Sequence, residues 1–157
     1  MAEIRVRLTG TDDIATIAAL RAQWTGAPSD AEFVAHVREW LAQEGDRRLV
    51  FLAALGHDAV GMATMLEYHR MPRPDRLSSR WGYVGNMFVR EELRDRGIGS
   101  ALLAAVIAEA DRRDYARLVL SPTERAVPFY RRAGFIDADA PAGGDRMMVR
   151  LRAGDVR

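Results

Sequence analysis

The chain has 157 residues, of which 48% are apolar and 29% charged, with a net charge of +1 and no cysteine. These figures fit one globular domain spanning 1–157 with a real core, and exclude disordered and fibrous chains, disulfides, thiolate metal sites and an acyl-cysteine intermediate. The near-neutral charge gives no reason to expect a nucleic-acid partner, no run approaches the ~20 apolar residues that span a bilayer, and all 23 basic residues are Arg, which rules out a Walker phosphate loop.

The start, Met1 to Arg7, alternates charged and apolar residues, unlike a signal peptide, and predicts a strand over 3–8. With no cysteine, a reducing cytoplasm is the expected location. Thr11 is the expected cap of a first helix, with Asp12 and Asp13 in its first turn and an apolar stripe from Ile14 to Trp24. Gly26-Ala27-Pro28 ends it. Ser29 or Asp30 caps a second helix that places Phe33, Val37, Trp40 and Leu41 on one face. Strands follow at 48–55 and 59–67, joined by Gly56-His57-Asp58.

Residues 69–80, with two prolines and four arginines, read as a long loop. Tyr83 to Val89 is a strand, Gly97 to about Arg113 a helix, and Leu118-Val119-Leu120 a short buried strand. A helix near 124–132 stops at Gly134, and Phe135-Ile136 with Met147 to Leu151 forms a closing hairpin. Strand–helix alternation with hairpins at the ends predicts a mixed sheet covered by helices.

The stretch that carries chemistry is Val84 to Leu103, a strand, an arginine-bearing turn, then Gly97-Ile98-Gly99 opening a helix. Two glycines there let a ligand's oxygens approach the unpaired helical N–H groups, and the helix dipole with Arg94 and Arg96 favours a pyrophosphate. A plain glycine-packed strand-to-helix turn is the competing reading. A Rossmann site fits less well, because Leu102 stands at the third glycine position.

Arg94-x-x-Gly97-x-Gly99, after Met87-Phe88-Val89 and before Ser100-Ala101-Leu102-Leu103, resembles the acetyl-CoA motif of the GNAT acetyltransferases. Thr123 to Phe135, with Tyr130-x-x-x-Gly134-Phe135, resembles that family's second signature. The resemblance covers nearly the whole chain and implies an α+β fold with a central, twisted, mostly antiparallel sheet flanked by helices. It implies an acetyl-CoA co-substrate and an amine acceptor, with a homodimer left open, while no His or acid pair has metal-ligand spacing and the charge and hydropathy give no nucleic-acid or membrane partner. It further implies cofactor contacts from Met87, Phe88, Val89, Arg94, Asp95, Arg96, Gly97, Ile98, Gly99, Ser100 and Thr123. Backbone amides at 97–100 would hold the pyrophosphate, Met87 to Val89 would pair with the pantetheine, and the N–H of Val89 or a neighbour would face the thioester oxygen. Tyr130 matches the tyrosine that protonates the leaving thiolate, with a buried structural tyrosine as the alternative. Thr123 stands where many relatives have asparagine, and Glu91 where a proline is common.

The base that takes the amine's proton has three candidates. Glu67, expected at a strand end facing the cleft, comes first, followed by His69 and Tyr83. His36 and His57 read as surface residues. Trp24, Phe33 and Trp40 either line an apolar acceptor pocket or pack the core, and Arg70, Arg73, Arg76 and Arg80 either attract an acidic acceptor or stay solvated. Two other functions compete with direct transfer to an amine: a non-catalytic acyl-CoA sensor of the same fold and a nucleotide-binding regulator.

Overall fold

The computed structural model describes residues 2–139 and 144–152, so the extreme ends of the expected 1–157 domain lie outside the described residues. The elements run β1 (Ile4–Leu8), α1 (Ile14–Thr25), α2 (Ala31–Glu44), β2 (Arg48–Leu55), β3 (Asp58–His69), β4 (Arg80–Val89), α3 (Ile98–Arg112), β5 (Arg117–Leu120), α4 (Val127–Arg132), β6 (Ile136–Asp137) and β7 (Met148–Leu151). The strands form one sheet in the order β1-β2-β3-β4-β5-β7-β6. Every pairing is antiparallel except β4 with β5. The expected mixed, mostly antiparallel sheet flanked by helices is the fold found.

Burial on both faces explains why β2 reads as a nearly unbroken apolar run rather than an alternating one. Phe51, Ala53, Ala63, Met65 and Val84 pack under α3 in one core layer. Val50, Leu52, Met62 and Phe88 meet Ile14, Ile17 and Val37 of α1 and α2 in the other. Alternate residues of one strand therefore serve opposite layers.

Three local details differ from the sequence reading. Residues 11–13 wind as a 3-10 turn, so Gly10 rather than Thr11 is the capping residue. The Gly10 N–H donates to Asp13 at 2.8 Å, and Arg7 holds the same carboxylate by two bonds. The stripe of α1 stops short of Trp24, which stays 40% exposed. β4 starts at Arg80 rather than Tyr83, which shortens the expected loop.

The irregularity that shapes the site lies on β4. Met62 pairs with Phe88 and Thr64 with Gly85, so Asn86 and Met87 together oppose the single residue Ala63. This is a β-bulge, and Asn86 takes the left-handed conformation (φ 49°) that asparagine tolerates better than most side chains.

Candidate functional site

β4 pairs with β3 along most of its length but with β5 only at Gly82–Leu118 and Tyr83–Val119. Past Tyr83 the β5-facing edge of β4 has no partner strand among the described residues. A cleft of about 690 Å³ opens there, lined by Met87, Phe88 and Val89 on one side and by Thr123, Ala126 and Phe129 on the other. Its end is closed by Arg94, Asp95 and the start of α3 from Gly97 to Ser100.

The backbone polarity of this edge follows from strand geometry. N–H groups alternate sides along a strand, and the Arg90 N–H bonds to the Val60 carbonyl at 2.9 Å, toward β3. The N–H groups of Val89 and Met87 therefore face the cleft. The Val89 carbonyl on the same side accepts from Arg94 Nε at 3.2 Å, so Arg94 occupies the acceptor and leaves the neighbouring donor open.

At the far end, Gly97 caps α3 with φ 84°, a conformation that costs a residue with a side chain. The first N–H groups of α3 have no intrahelical partner, and the dipole makes that end positive. Arg125 and Arg132 join Arg94 in the lining, and neither has a carboxylate partner among the described residues. Most other arginines of the chain are paired, as in Arg90–Glu92, Arg131–Asp137 and Arg152–Asp114. Unpaired cations beside open helical N–H groups suit an anion carrying several phosphates.

A second cavity, about 300 Å³, lies across β4 between α1, α2 and β3. It is lined by Ile17, Phe33, Val37, Trp40 and Met62, with Arg21, His36, Thr64 and Asn86 as its polar members. Adjacent residues of the bulge line the two cavities, Asn86 the second and Met87 the cleft. Trp24 stands by the cleft, stacked on Phe88 with ring centroids 5.5 Å apart, and the Arg21 guanidinium lies 4.6 Å over its ring.

The structure brings together ten of the residues expected to contact a cofactor: Met87, Phe88, Val89, Arg94, Asp95, Gly97, Ile98, Gly99, Ser100 and Thr123 all line the cleft. Arg96 does not; it is exposed outside the lining. Tyr130 lies one residue behind the lining residue Phe129, buried against Phe129 and Phe135. Its hydroxyl has no hydrogen-bond partner among the described residues, and burial raises its pKa.

Glu67 is the candidate that the structure places elsewhere. On β3, Met62 and Thr64 face the α1–α2 cavity, whereas Ala63, Met65 and Glu67 face the α3 layer. Glu67 lines neither cavity and, as a residue, is 8% exposed. Its carboxylate accepts from Tyr115 Oη at 2.7 Å, meets His69 Nε2 at 2.7 Å, and lies 3.5 Å from Arg80. Burial pushes its pKa up, but the Tyr115 and His69 bonds and the Arg80 charge outweigh burial and hold it below the usual value. A strand-end carboxylate was legible; the face it occupies was not. His69 shares that network, and Tyr83 lines neither cavity.

Sequence reasoning did not single out Arg21, Thr64, Asn86, Arg125 or Arg132, and read His36 as a surface residue, which its largely exposed side chain bears out although it reaches the cavity wall. Arg125 and Arg132 lie within the second signature, whereas only the assembled helices and the bulge bring Arg21, Thr64 and Asn86 to a cavity. Phe33 and Trp40 line the second cavity as one of the two sequence readings held, while Trp24 belongs to the cleft. Among the loop arginines, Arg80 turns to Glu67 and Arg73 to Asp75, and none lines the cavity.

Among the described residues, no helix is long and apolar enough to cross a membrane. The family model for the Acetyltransferase (GNAT) family matches residues 14–135. A GCN5-related N-acetyltransferase from Ralstonia eutropha JMP134 is 26% identical, with 90% of this chain and 100% of that one covered, at a TM-score of 0.65. A predicted acetyltransferase from Clostridium acetobutylicum, solved with acetyl-CoA, is 18% identical over 91% of this chain and 96% of that one, TM-score 0.71. An acetyltransferase of the GNAT family from Streptococcus pneumoniae is 20% identical over 96% and 100%, TM-score 0.71. No curated protein matches the chain.

Proposed function

The chain belongs to the GNAT acetyltransferase family, and from that premise we propose that it passes the acetyl group of acetyl-CoA directly to an amine held in the α1–α2 cavity. The observation that carries this reading is the unpaired edge of β4, which runs from the second cavity into a cleft ending at the open N–H groups of α3. Met87 offers a donor and an acceptor, and Val89 a donor, to an extended pantetheine chain, as an added strand would receive them. Gly97 to Ser100, with Arg94, Arg125 and Arg132, hold the phosphates.

Reaction begins with a neutral amine. Its nitrogen lone pair forms a bond to the thioester carbon, charge collects on the carbonyl oxygen, and the Val89 N–H stabilises that charge. Collapse breaks the carbon–sulfur bond, and the thiolate leaves with the bond's electron pair. Products are an amide and free CoA thiol.

Tyr130 serves the leaving group. A phenol at about 10 or higher is a weaker acid than a thiol at about 8.5, so complete transfer to a free thiolate runs uphill. The Tyr130 hydroxyl therefore contributes most as a hydrogen bond that strengthens while charge builds on sulfur, with the proton passing as the bond breaks. Among the described residues no carboxylate lines the acceptor cavity, so the amine's proton goes to water or to the His36 imidazole in its wall.

The test mixes the protein, acetyl-CoA and a panel of amines, and measures release of free CoA thiol together with the acetylated product. Amine-dependent release supports transfer. Tight acetyl-CoA binding with no release on any amine would favour the non-catalytic sensor.

A further inference from the structure

The acceptor cavity has a composition that selects among amines. Its floor and walls are apolar, from Phe33, Val37, Trp40 and Met62, and among the described residues no aspartate or glutamate lines it. A polyamine or an aminoglycoside would have to bury further ammonium groups there without a carboxylate to face them, which is strongly unfavourable.

The charge that the cavity does hold is positive. Arg48, next to Trp40, is neutralised by Glu44 at 2.6 Å and stacks 5.1 Å from the Trp40 ring. Arg21 has no carboxylate partner among the described residues. Its guanidinium carbon lies 4.6 Å from the centre of the Trp24 ring, and the guanidinium N–H groups have no hydrogen-bond partner among the described residues, so they are available to an anion. Asn86 adds a neutral donor. Thr64 donates to Asn86 Oδ1 at 2.9 Å, and the Asn86 amide N–H groups have no partner among the described residues.

We propose that the acceptor is an apolar α-amino acid, its carboxylate held by Arg21 and the Asn86 amide and its side chain seated among Phe33, Val37, Trp40 and Met62. This rests on the transferase reading above. Asn86 neighbours Met87, where the cleft begins, so a carboxylate at Asn86 sets the adjacent α-amino group toward the thioester. The cavity of about 300 Å³ lies at the lower end of the range for small-ligand sites, as one amino acid requires.

The deciding experiment compares L-phenylalanine and L-leucine with L-phenylalaninamide, which keeps ring and amine but lacks the carboxylate, and with spermidine. CoA release is measured for each, and acetyl-CoA binding is followed separately by thermal shift. The free amino acids should exceed the amide in kcat/KM by about tenfold to a hundredfold, the range of a hydrogen-bonded charge. In Arg21→Met, and in Arg21→Gln should the first variant fold poorly, the ratio of L-phenylalanine to L-phenylalaninamide should fall toward one. Equal or better turnover of the amide or spermidine, or none of the amino acids, overturns the acceptor assignment. If acetyl-CoA still stabilises the protein and spermidine is acetylated, only the acceptor class has failed. If acetyl-CoA does not bind, the transferase reading fails and takes the acceptor class with it.

Discussion

The cleft beside α3 and the α1–α2 cavity share β4 but are made of different materials. The cleft is largely backbone: the free edge at Met87 and Val89, the left-handed Gly97 and the first N–H groups of α3. The cavity is side chain, contributed by α1, α2, β3 and β4, with Arg21 and Asn86 as its distinctive polar groups. Backbone sites constrain the sequence tightly at a few positions, because only certain residues permit the needed conformation or approach. Side-chain sites can be rebuilt by substitution on the same frame, so one fold can keep its co-substrate and change its acceptor.

The largest expected effect breaks the cleft alone. A Cβ at Gly99 would make only ordinary contacts, 3.6 Å from the Phe129 ring and 3.9 Å from Val89, so the position accepts a side chain. Gly99→Glu should therefore fold, yet carry bulk and negative charge into the cleft. It should lose the stabilisation that acetyl-CoA gives the parent, about 2.7 kcal/mol at a hundredfold excess over Kd, read as a thermal shift.

Next comes Tyr130→Phe, which keeps the ring packed on Phe129 and Phe135 and removes only the hydroxyl. Turnover should drop by about a hundredfold or more, while acetyl-CoA affinity stays within a few-fold. Unaltered turnover would make Tyr130 structural.

The bulge joins the two regions. Asn86→Val forces a β-branched residue to a positive φ and should cost more than the about 1–2 kcal/mol typical of that conformation, weakening acetyl-CoA binding through the displaced edge. Asn86→Gly restores the backbone freedom and should recover acetyl-CoA binding while raising KM for the amine. Equal acetyl-CoA affinities for the two variants would mean that the bulge does not position the cleft.

The smallest effect concerns stability. Glu67→Gln removes the charge that Tyr115 and His69 face, and should lower stability by about 1–3 kcal/mol without moving the pH profile of turnover. Glu109, bonded first to Arg112 and then to Arg113, is held at about 2 in the folded protein, and Glu67 also lies below 4.5. Folded values below the unfolded ones mean that these groups stabilise fully above pH 4.5 and lose that contribution as pH falls toward about 2. Glu109→Gln should flatten the fall of Tm across that window; an unchanged slope would remove the Arg112 and Arg113 contacts from the account.

The cleft was readable because its geometry leaves a trace in residue type. Gly97 and Gly99, with Arg94 before them, are what a phosphate-holding helix start requires, and ten of the eleven expected contacts line it. The element order was readable for a similar reason, since β2 and α3 carry unmistakable apolar patterns. What escaped depends on which way a side chain faces after assembly. Glu67 and Thr64 are three residues apart on β3 and therefore lie on opposite faces of the sheet. Arg21 and His36 look like solvated helix residues until α1 and α2 pack across Met62. Asn86 shows no sign of its φ in the sequence, because the extra residue of a bulge is defined only against its partner strand.

The most direct measurement follows amide hydrogen exchange of β4 with and without acetyl-CoA. Phe88 and Arg90 point their N–H groups toward β3, and they serve as internal controls whose protection is already present. Met87 and Val89 face the cleft. Acetyl-CoA should slow exchange at Met87 and Val89 specifically, as a new strand partner would. Binding that leaves those two amides exchanging at their free rates would contradict it.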